Sequence, residues 1–225
     1  MTTEEKQFLS DFMEMINETA ENNGTHPETE LTKAFIEYVV DNGEALAPEI
    51  CECQSNPTTE KFTRRYRLNA FDYSEATGIL DLFGTIYYEG QSPTLPVSTA
   101  QRMDNDLLGT LHVAIDGSEA KRTYRDKDPD IAEALDMMKT EYEQNHIELI
   151  RLFVLSNGFA AEPLEIEDGE FRHHPTDKPI RIEYHFWDMG EILKTEQIRR
   201  NNQEILINFH RIWKTSRHKS VTFFA

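Results

Sequence analysis

The stretch DYSEATGILDLFGTIYY, residues 72–88, decides the fold because it contains two strand-like segments separated by a turn. Residues 64–73 alternate in polarity, whereas residues 78–88 are apolar at almost every position. Alternation predicts a strand with one buried face, and a continuous apolar run predicts a strand that is covered on both faces. We therefore predict a β-hairpin whose turn is SEAT, residues 74–77, and whose second strand is central in a sheet.

The segments around this hairpin show helical and strand patterns in succession. The predicted elements are helices at 3–21 and 25–42, strands at 64–73 and 78–88, helices at 97–115 and 128–144, strands at 147–156 and 179–188, a helix after 188, and a strand at 204–212. Residues 44–61 are predicted to be a connector. This order predicts one α/β domain over residues 1–225, with a mixed central sheet flanked by helices.

Two helix starts have the spacing of a capping box, in which a first polar residue and a Glu three positions later satisfy free backbone N–H groups. Thr25 and Glu28 have this spacing before the second helix. Asp188 and Glu191 have it before the helix that follows the strand at 179–188. Both pairs are therefore predicted to begin helices.

The net charge of −18 is concentrated in the acidic helical segment at about residues 1–43 and the connector after it. Such a charge disfavours high-affinity, sequence-indifferent binding to nucleic acid, because phosphates are repelled. No apolar run approaches the roughly 18–20 residues that span a bilayer, and the N-terminus has no features of a signal peptide. The only cysteines, Cys51 and Cys53, are one residue apart. We expect a cytoplasmic protein without a membrane partner.

Asp72 and Asp81 flank the predicted turn. Pairing Tyr73 with Gly78 sets Asp72 opposite Ile79, and Asp81 is then a diagonal neighbour of Asp72 on the same sheet face. Diagonal neighbours are about 7–8 Å apart, and two carboxylates at this distance can share one hard cation such as Mg²⁺ or Mn²⁺. A buried carboxylate at Asp81 needs a cation, an arginine or backbone donors. Metal binding and structural hydrogen bonding are therefore both open for Asp81.

Glu37, in the second helix, is a candidate for a third carboxylate of the same site. Lys33 precedes it by four residues, so an ordinary surface ion pair also accounts for Glu37. We keep both interpretations, and the surface pair is the simpler one.

Four blocks of sequence, in this order and spacing, resemble the opening of abortive-infection phage-resistance (AIPR) family proteins. The blocks are AFIEYVVDNGEA (34–45), YRLNAFDYSEATGILDLFGTIYY (66–88), IELIRLFVLSNG (147–158) and IRIEYHFWDMGEIL (180–193). Proteins of that family are larger bacterial defence proteins. The resemblance therefore implies a role in bacterial phage defence and leads us to expect that the chain is the N-terminal part of a longer protein.

The hairpin is also similar to the core of PD-(D/E)xK nucleases, which implies a restriction-endonuclease-like fold. In this comparison Asp72 matches the first Asp, Asp81-Leu82-Phe83 matches the (D/E)xK triplet, and Glu37 matches the helical acid. Phe83 stands where the family has its lysine, and no lysine occurs between Lys61 and Lys121. That lysine orients the attacking water and offsets negative charge on the phosphate. Arg102 is the candidate cation that could replace it.

Two functions remain open from the sequence. The first is a metal-dependent nuclease domain in which Asp72 and Asp81 hold Mg²⁺ or Mn²⁺, with Glu37 and Arg102 in support. The second is a non-catalytic module that senses a phage component or mediates assembly through its acidic N-terminal helices. The expected partners are accordingly nucleic acid, a phage component or a second copy of the chain. The missing lysine favours the second function for this chain, whereas the fold resemblance favours the first. We predict a nuclease-like domain of phage defence whose catalysis is weakened by the missing lysine, with the non-catalytic module as the alternative.

Overall fold

A computed structural model describes residues 3–55, 65–89, 94–116, 128–160 and 168–200 of the chain. The strand predicted at 204–212 lies outside the described residues. No helix in the described part is both long enough and apolar enough to cross a membrane.

The centre of the structure is a mixed six-stranded sheet. Its strands are β1 (Glu49–Gln54), β2 (Arg67–Ser74), β3 (Ile79–Ile86), β5 (Leu149–Ser156), β7 (Gly169–Phe171) and β8 (Ile180–Trp187), and a separate two-stranded pair contains β4 (Thr94–Leu95) and β6 (Phe159–Ala160). The order across the main sheet is β1-β2-β3-β5-β8-β7. Neighbours are antiparallel from β1 to β3, parallel from β3 through β5 to β8, and antiparallel between β8 and β7. The predicted α/β class with a mixed sheet is confirmed.

Helices cover both faces of this sheet. They are α1 (Thr3–Asn23), α2 (Pro27–Asp41), α3 (Val97–Asp116), α4 (Pro129–Glu143) and α5, which is described over residues 189–200. On one face α1 and α2 bury Phe35 against Phe83 and Phe153. On the other face α3 and α4 bury residues such as Leu107 against Leu82. The two apolar layers explain why β3, between them, is apolar on both sides.

The hairpin between β2 and β3 forms as predicted, but its register differs by two residues. Ser74 pairs with Ile79, so Asp72 lies directly opposite Asp81 rather than opposite Ile79. The turn closes at Gly78, which has a φ of +65° and whose N–H donates to the carbonyl of Ser74 at 2.8 Å. Because the shift is an even number of residues, the two aspartates still share one face.

Two other predictions about local structure are wrong. Residues 49–54 form the edge strand β1 inside the predicted connector, with Cys51 and Cys53 buried. The Thr25–Glu28 capping box does not form, because Glu28 accepts hydrogen bonds from Arg67 and Asn69 instead. The second capping prediction is confirmed at its N-cap, where the Asp188 carboxylate accepts the backbone N–H of Glu191 at 3.0 Å.

Candidate functional site

A row of four charged side chains crosses the sheet. Asp72 on β2 pairs in register with Asp81 on β3, which pairs with Arg151 on β5, which pairs with Glu183 on β8. Residues in register on neighbouring strands project to the same face of a sheet. This charged row therefore lies on the face that α1 and α2 cover, immediately beside the aromatic layer that contains Phe83.

Arg151 holds both carboxylate oxygens of Asp81. Its Nε donates to Oδ1 and its Nη2 donates to Oδ2, each at 2.6 Å. The Arg151 side chain is 18% exposed and the Asp81 side chain is 4% exposed, so the pair is largely shielded from water. Burial raises the pKa of the Asp81 carboxyl, Arg151 lowers it, and the nearby charge of Asp72 raises it. The guanidinium fork and the carboxylate form the bidentate arrangement in which arginine binds carboxylates most strongly.

Asp72 has a structural partner of its own. Its Oδ2 accepts the backbone N–H of Ala47 at 3.0 Å. Ala47 belongs to the segment that leads from α2 to β1, so this hydrogen bond ties that segment to the sheet. Asp72 is half-buried, and it is the more accessible of the two aspartates.

A second set of polar groups adjoins the charged row on β8. The ring of His185 stacks on Phe153, with 4.5 Å between centroids. Its Nδ1 lies 3.3 Å from a Glu44 oxygen, and the indole N–H of Trp187 donates to the same oxygen at 3.2 Å. The hydrogen bond with His185 is the main cause that lowers the pKa of Glu44, and the Trp187 hydrogen bond adds to it. Glu44 is thereby held as an anion over the end of β8.

The charged row does not fit a divalent cation. Within the described ranges, no group of three or more His, Cys, Asp or Glu side chains is placed to hold a metal ion. Both oxygens of Asp81 already accept charge-assisted hydrogen bonds from Arg151. A cation shared by Asp72 and Asp81 would have to bind the same two oxygens of Asp81 that the largely shielded guanidinium of Arg151 already contacts, and the two positive charges would repel each other.

The structure brings Asp72 and Asp81 together, but the other two predicted site residues, Glu37 and Arg102, lie away from them. Glu37 is exposed on α2, on the opposite side of the helix from the buried stripe that contains Phe35. Arg102 is exposed on α3, and α3 packs on the other face of the sheet, where Met103 contacts Gly84. The sheet therefore separates Arg102 from the two aspartates.

Sequence reasoning missed Arg151, the residue that forms the ion pair with Asp81. Arg151 is the one charged residue inside the apolar run LIRLFVLS of β5. A single charge in a strand that is buried on both faces needs a partner of opposite sign on a neighbouring strand. That signal was present, but it could not identify Asp81 as the partner without the strand order.

The comparisons with known proteins concern the same region. The sequence model of the family described as "Abortive infection phage resistance protein N-terminal domain" matches residues 31–194. This match includes the whole six-stranded sheet and all four members of the charged row. No curated protein matches the chain, and no solved structure matches it. The chain belongs to the family of abortive infection phage resistance protein N-terminal domains.

Proposed function

We propose that this domain is a non-catalytic module of a phage-defence protein and that it acts by binding another protein. The observation that carries the proposal is the bidentate contact of Arg151 with Asp81. Because Arg151 binds both oxygens of the Asp81 carboxylate, the contact supports a structural ion pair over a metal site. The family match supports a role in phage defence, and the geometry of Asp81 supports a role without metal-dependent chemistry.

The position of the missing lysine supports the same proposal. Phe83 is fully buried, and its ring stacks on Phe153 with 4.5 Å between centroids. A lysine at this position would have to bury its ammonium group in the aromatic layer beside Phe153, which is energetically costly. The side chain that a nuclease would use to orient water is thus replaced by part of the hydrophobic core.

The charge of the chain favours a protein partner over nucleic acid. A net charge of −18 repels the phosphate backbone and lowers the rate of encounter with it. The same charge raises the rate of encounter with a basic protein surface.

A metal-dependent nuclease is the second candidate, because Asp72 and Asp81 lie directly opposite each other on one face. The hairpin's similarity to PD-(D/E)xK nucleases stays a prediction that bears on this candidate alone. In this alternative, a cation would have to displace Arg151 from Asp81 when substrate binds.

Incubating the chain with supercoiled plasmid or single-stranded DNA and millimolar Mg²⁺ or Mn²⁺ distinguishes the two functions. We expect no cleavage above that of a mock purification. The Asp72→Asn variant removes one candidate ligand, and the Glu37→Gln variant makes the same charge change at an exposed position away from the row. Metal-dependent cleavage that Asp72→Asn abolishes and Glu37→Gln retains would overturn the proposal.

A further inference from the structure

Two histidines from distant parts of the chain face each other between α3 and the segment that follows β7. His112 lies near the end of α3, and His173 lies in the β7–β8 connection, residues 172–179. Their Nδ1 atoms are 3.0 Å apart, a hydrogen-bond distance, whereas their ring centroids are 5.2 Å apart. The two nitrogens are therefore the facing edges of the rings, and their contact joins α3 to the connection.

The other ring nitrogen of His173 has an acidic partner. Its Nε2 lies 2.9 Å from Oδ1 of Asp116, which follows His112 by four residues on α3. Residues four apart share one side of a helix, so His112 and Asp116 contact the two nitrogens of a single imidazole. The His173 side chain is 9% exposed. Because an ionised carboxylate only accepts hydrogen bonds, Nε2 of His173 carries a proton.

The two facing Nδ1 atoms hold only one proton between them. A hydrogen bond between imidazole nitrogens needs one protonated donor and one unprotonated acceptor. The pair keeps this bond when it carries no charge or one positive charge. With both rings charged, two N–H groups and two positive charges would oppose each other at 3.0 Å. The exclusion concerns the two Nδ1 atoms alone, so any further contact of the His112 ring leaves it in force.

Tyr142 and Asp177 form a second anchor for the connection. The hydroxyl of Tyr142, on α4, donates to Asp177 at 2.7 Å and accepts the backbone N–H of His173 at 3.3 Å. The Tyr142 hydrogen bond, followed by one from the backbone N–H of His174, lowers the pKa of Asp177, and burial raises the pKa of Tyr142 to about 12. Both groups therefore keep the same charge from about pH 5 to about pH 8, where histidine titrates.

The remaining charged or titratable side chains of the connection do not oppose an effect of pH on the pair. The exposed His174 ring contacts the His173 ring edge-on, with 4.5 Å between centroids. As His174 gains charge on acidification, it adds to the positive charge beside His173, so its effect has the same sign. The two basic side chains form exposed ion pairs, Arg172 with Glu170 and Lys178 with Glu148.

We propose that His112 and His173 form a pH-sensitive latch, which holds the β7–β8 connection on α3 while the pair carries at most one positive charge and releases it when both rings are protonated. Acidification adds the second proton, from solvent, to the unprotonated Nδ1, and the N–H···N bond breaks. Only the released state binds this proton, so release is favoured as the pH falls. With one of its two anchors lost, the connection opens more often. The latch goes beyond the proposed function and does not depend on it.

Nitrogen NMR of the full chain with isotope-labelled histidines tests whether the two rings share a proton. We expect a coupling through the hydrogen bond between Nδ1 of His112 and Nδ1 of His173 at about pH 7.5, where at least one ring is uncharged.

Hydrogen exchange measures release, after correction for the direct effect of pH on exchange. The reporting amides are those of His173, His174 and Asp177, each of which donates a hydrogen bond within this region. An imidazole with histidine's ordinary pKa of about 6.5, protonated only in the released state, favours release about tenfold at about pH 5.5. We therefore expect corrected exchange to be at least about threefold faster at about pH 5.5 than at about pH 7.5.

The His112→Asn variant separates a latch from a simple contact. An amide can turn over to donate to His173 Nδ1 or accept from it, so a hydrogen bond survives in both protonation states. We expect this variant to lose the pH dependence, and His112→Ala to exchange fast at both pH values. His26→Asn makes the same change at an exposed position before α2 and should behave like the wild type. The absence of the coupling, equal corrected exchange at both pH values in the wild type, or wild-type pH dependence in His112→Asn would each overturn the inference.

Discussion

Arg151 and Asp81 are joined by two parallel hydrogen bonds across the parallel strands β5 and β3, each 2.6 Å long. The two residues lie 70 positions apart in sequence and are partners in register. A slip of β5 by one residue would move Arg151 to the other face and leave both charges buried without partners. The pair therefore specifies how β5 aligns with the hairpin, in addition to neutralising Asp81.

Removing one member of this pair should destabilise the domain. We expect Asp81→Ala to lower the free energy of unfolding by about 3–5 kcal/mol, because it leaves the largely shielded Arg151 guanidinium without its bidentate partner. The double variant Asp81→Leu, Arg151→Met should cost less than the sum of the single variants. Urea unfolding measures all of them. Asp168→Asn is the control, because it breaks the exposed pair with Arg181 and should cost less than about 1 kcal/mol. If Asp81→Ala lowered the free energy of unfolding by no more than the Asp168→Asn control, the pair of Asp81 and Arg151 would not be needed for the fold.

Millimolar Mg²⁺ or Mn²⁺ should leave the melting temperature of the wild-type chain unchanged, since Arg151 binds both oxygens of Asp81. Removing the guanidinium in Arg151→Met leaves Asp72 and Asp81 opposite each other without a cation. A ligand that binds the native state raises its melting temperature, so the metals should stabilise this variant. Thermal unfolding with and without metal checks both expectations. A rise in the wild type that Asp81→Ala abolishes would instead support the metal site.

The hairpin illustrates what sequence could predict in this protein. The apolar run of β3 and the turn residues were sufficient to place both strands and to set Asp72 and Asp81 on one face. The predicted register is wrong because the prediction limits the turn to SEAT, whereas Gly78, the next residue, adopts the positive φ that closes the turn. A glycine after four polar or small residues is a signal for the left-handed position that closes such a loop.

Contacts between distant elements explain the other errors. Glu28 could cap its own helix, but Arg67 and Asn69 on β2 bind its carboxylate. The sequence could not identify Arg151 as the partner of Asp81, because neither strand's own sequence shows that β3 and β5 are neighbours in the sheet. β1 is short, and its buried Cys51 and Cys53 alternate with the exposed polar residues Glu52 and Gln54, a pattern typical of an edge strand that resembles a loop in sequence.

The buried carboxylate of Asp104 should make stability depend on pH. Asp104 is 6% exposed, none of the described residues forms a hydrogen bond or ion pair with its carboxylate, and burial raises its pKa to about 7. The native state therefore holds a proton that the unfolded state has released, so this residue destabilises the fold progressively as pH rises from about 4 to about 7.

Asp104→Asn removes this titration. Its stability relative to the wild type should rise between about pH 4 and pH 7, by an amount on the order of 2–4 kcal/mol, and stay constant above that range. Urea unfolding at a series of pH values provides the measurement. Asp130→Asn, at an exposed position of α4, should show no such trend. The same pH profile for Asp104→Asn and the wild type would mean that Asp104 ionises normally in the folded protein.

Gly78 joins the hairpin turn to the segment before β5. Its carbonyl accepts the N–H of Glu148 at 2.8 Å, and its φ is +65°. A Cβ atom at this position would lie 2.5 Å from the backbone carbonyl oxygen of His146, a contact that requires the backbone to move. Replacing Gly78 should therefore disturb both the turn and the alignment of β5 with β3.

Gly24 provides the matched comparison for Gly78→Ala. Gly24 has the same φ of +65°, and a Cβ atom there would meet nothing within 4 Å. Gly24→Ala should cost only the strain of a left-handed alanine, about 1 kcal/mol. Gly78→Ala should lower the free energy of unfolding by that amount plus about 1–3 kcal/mol, because its Cβ would be too close to the carbonyl oxygen of His146. Urea unfolding of the two variants measures the difference, and equal costs would show that the backbone around His146 adapts without loss of stability.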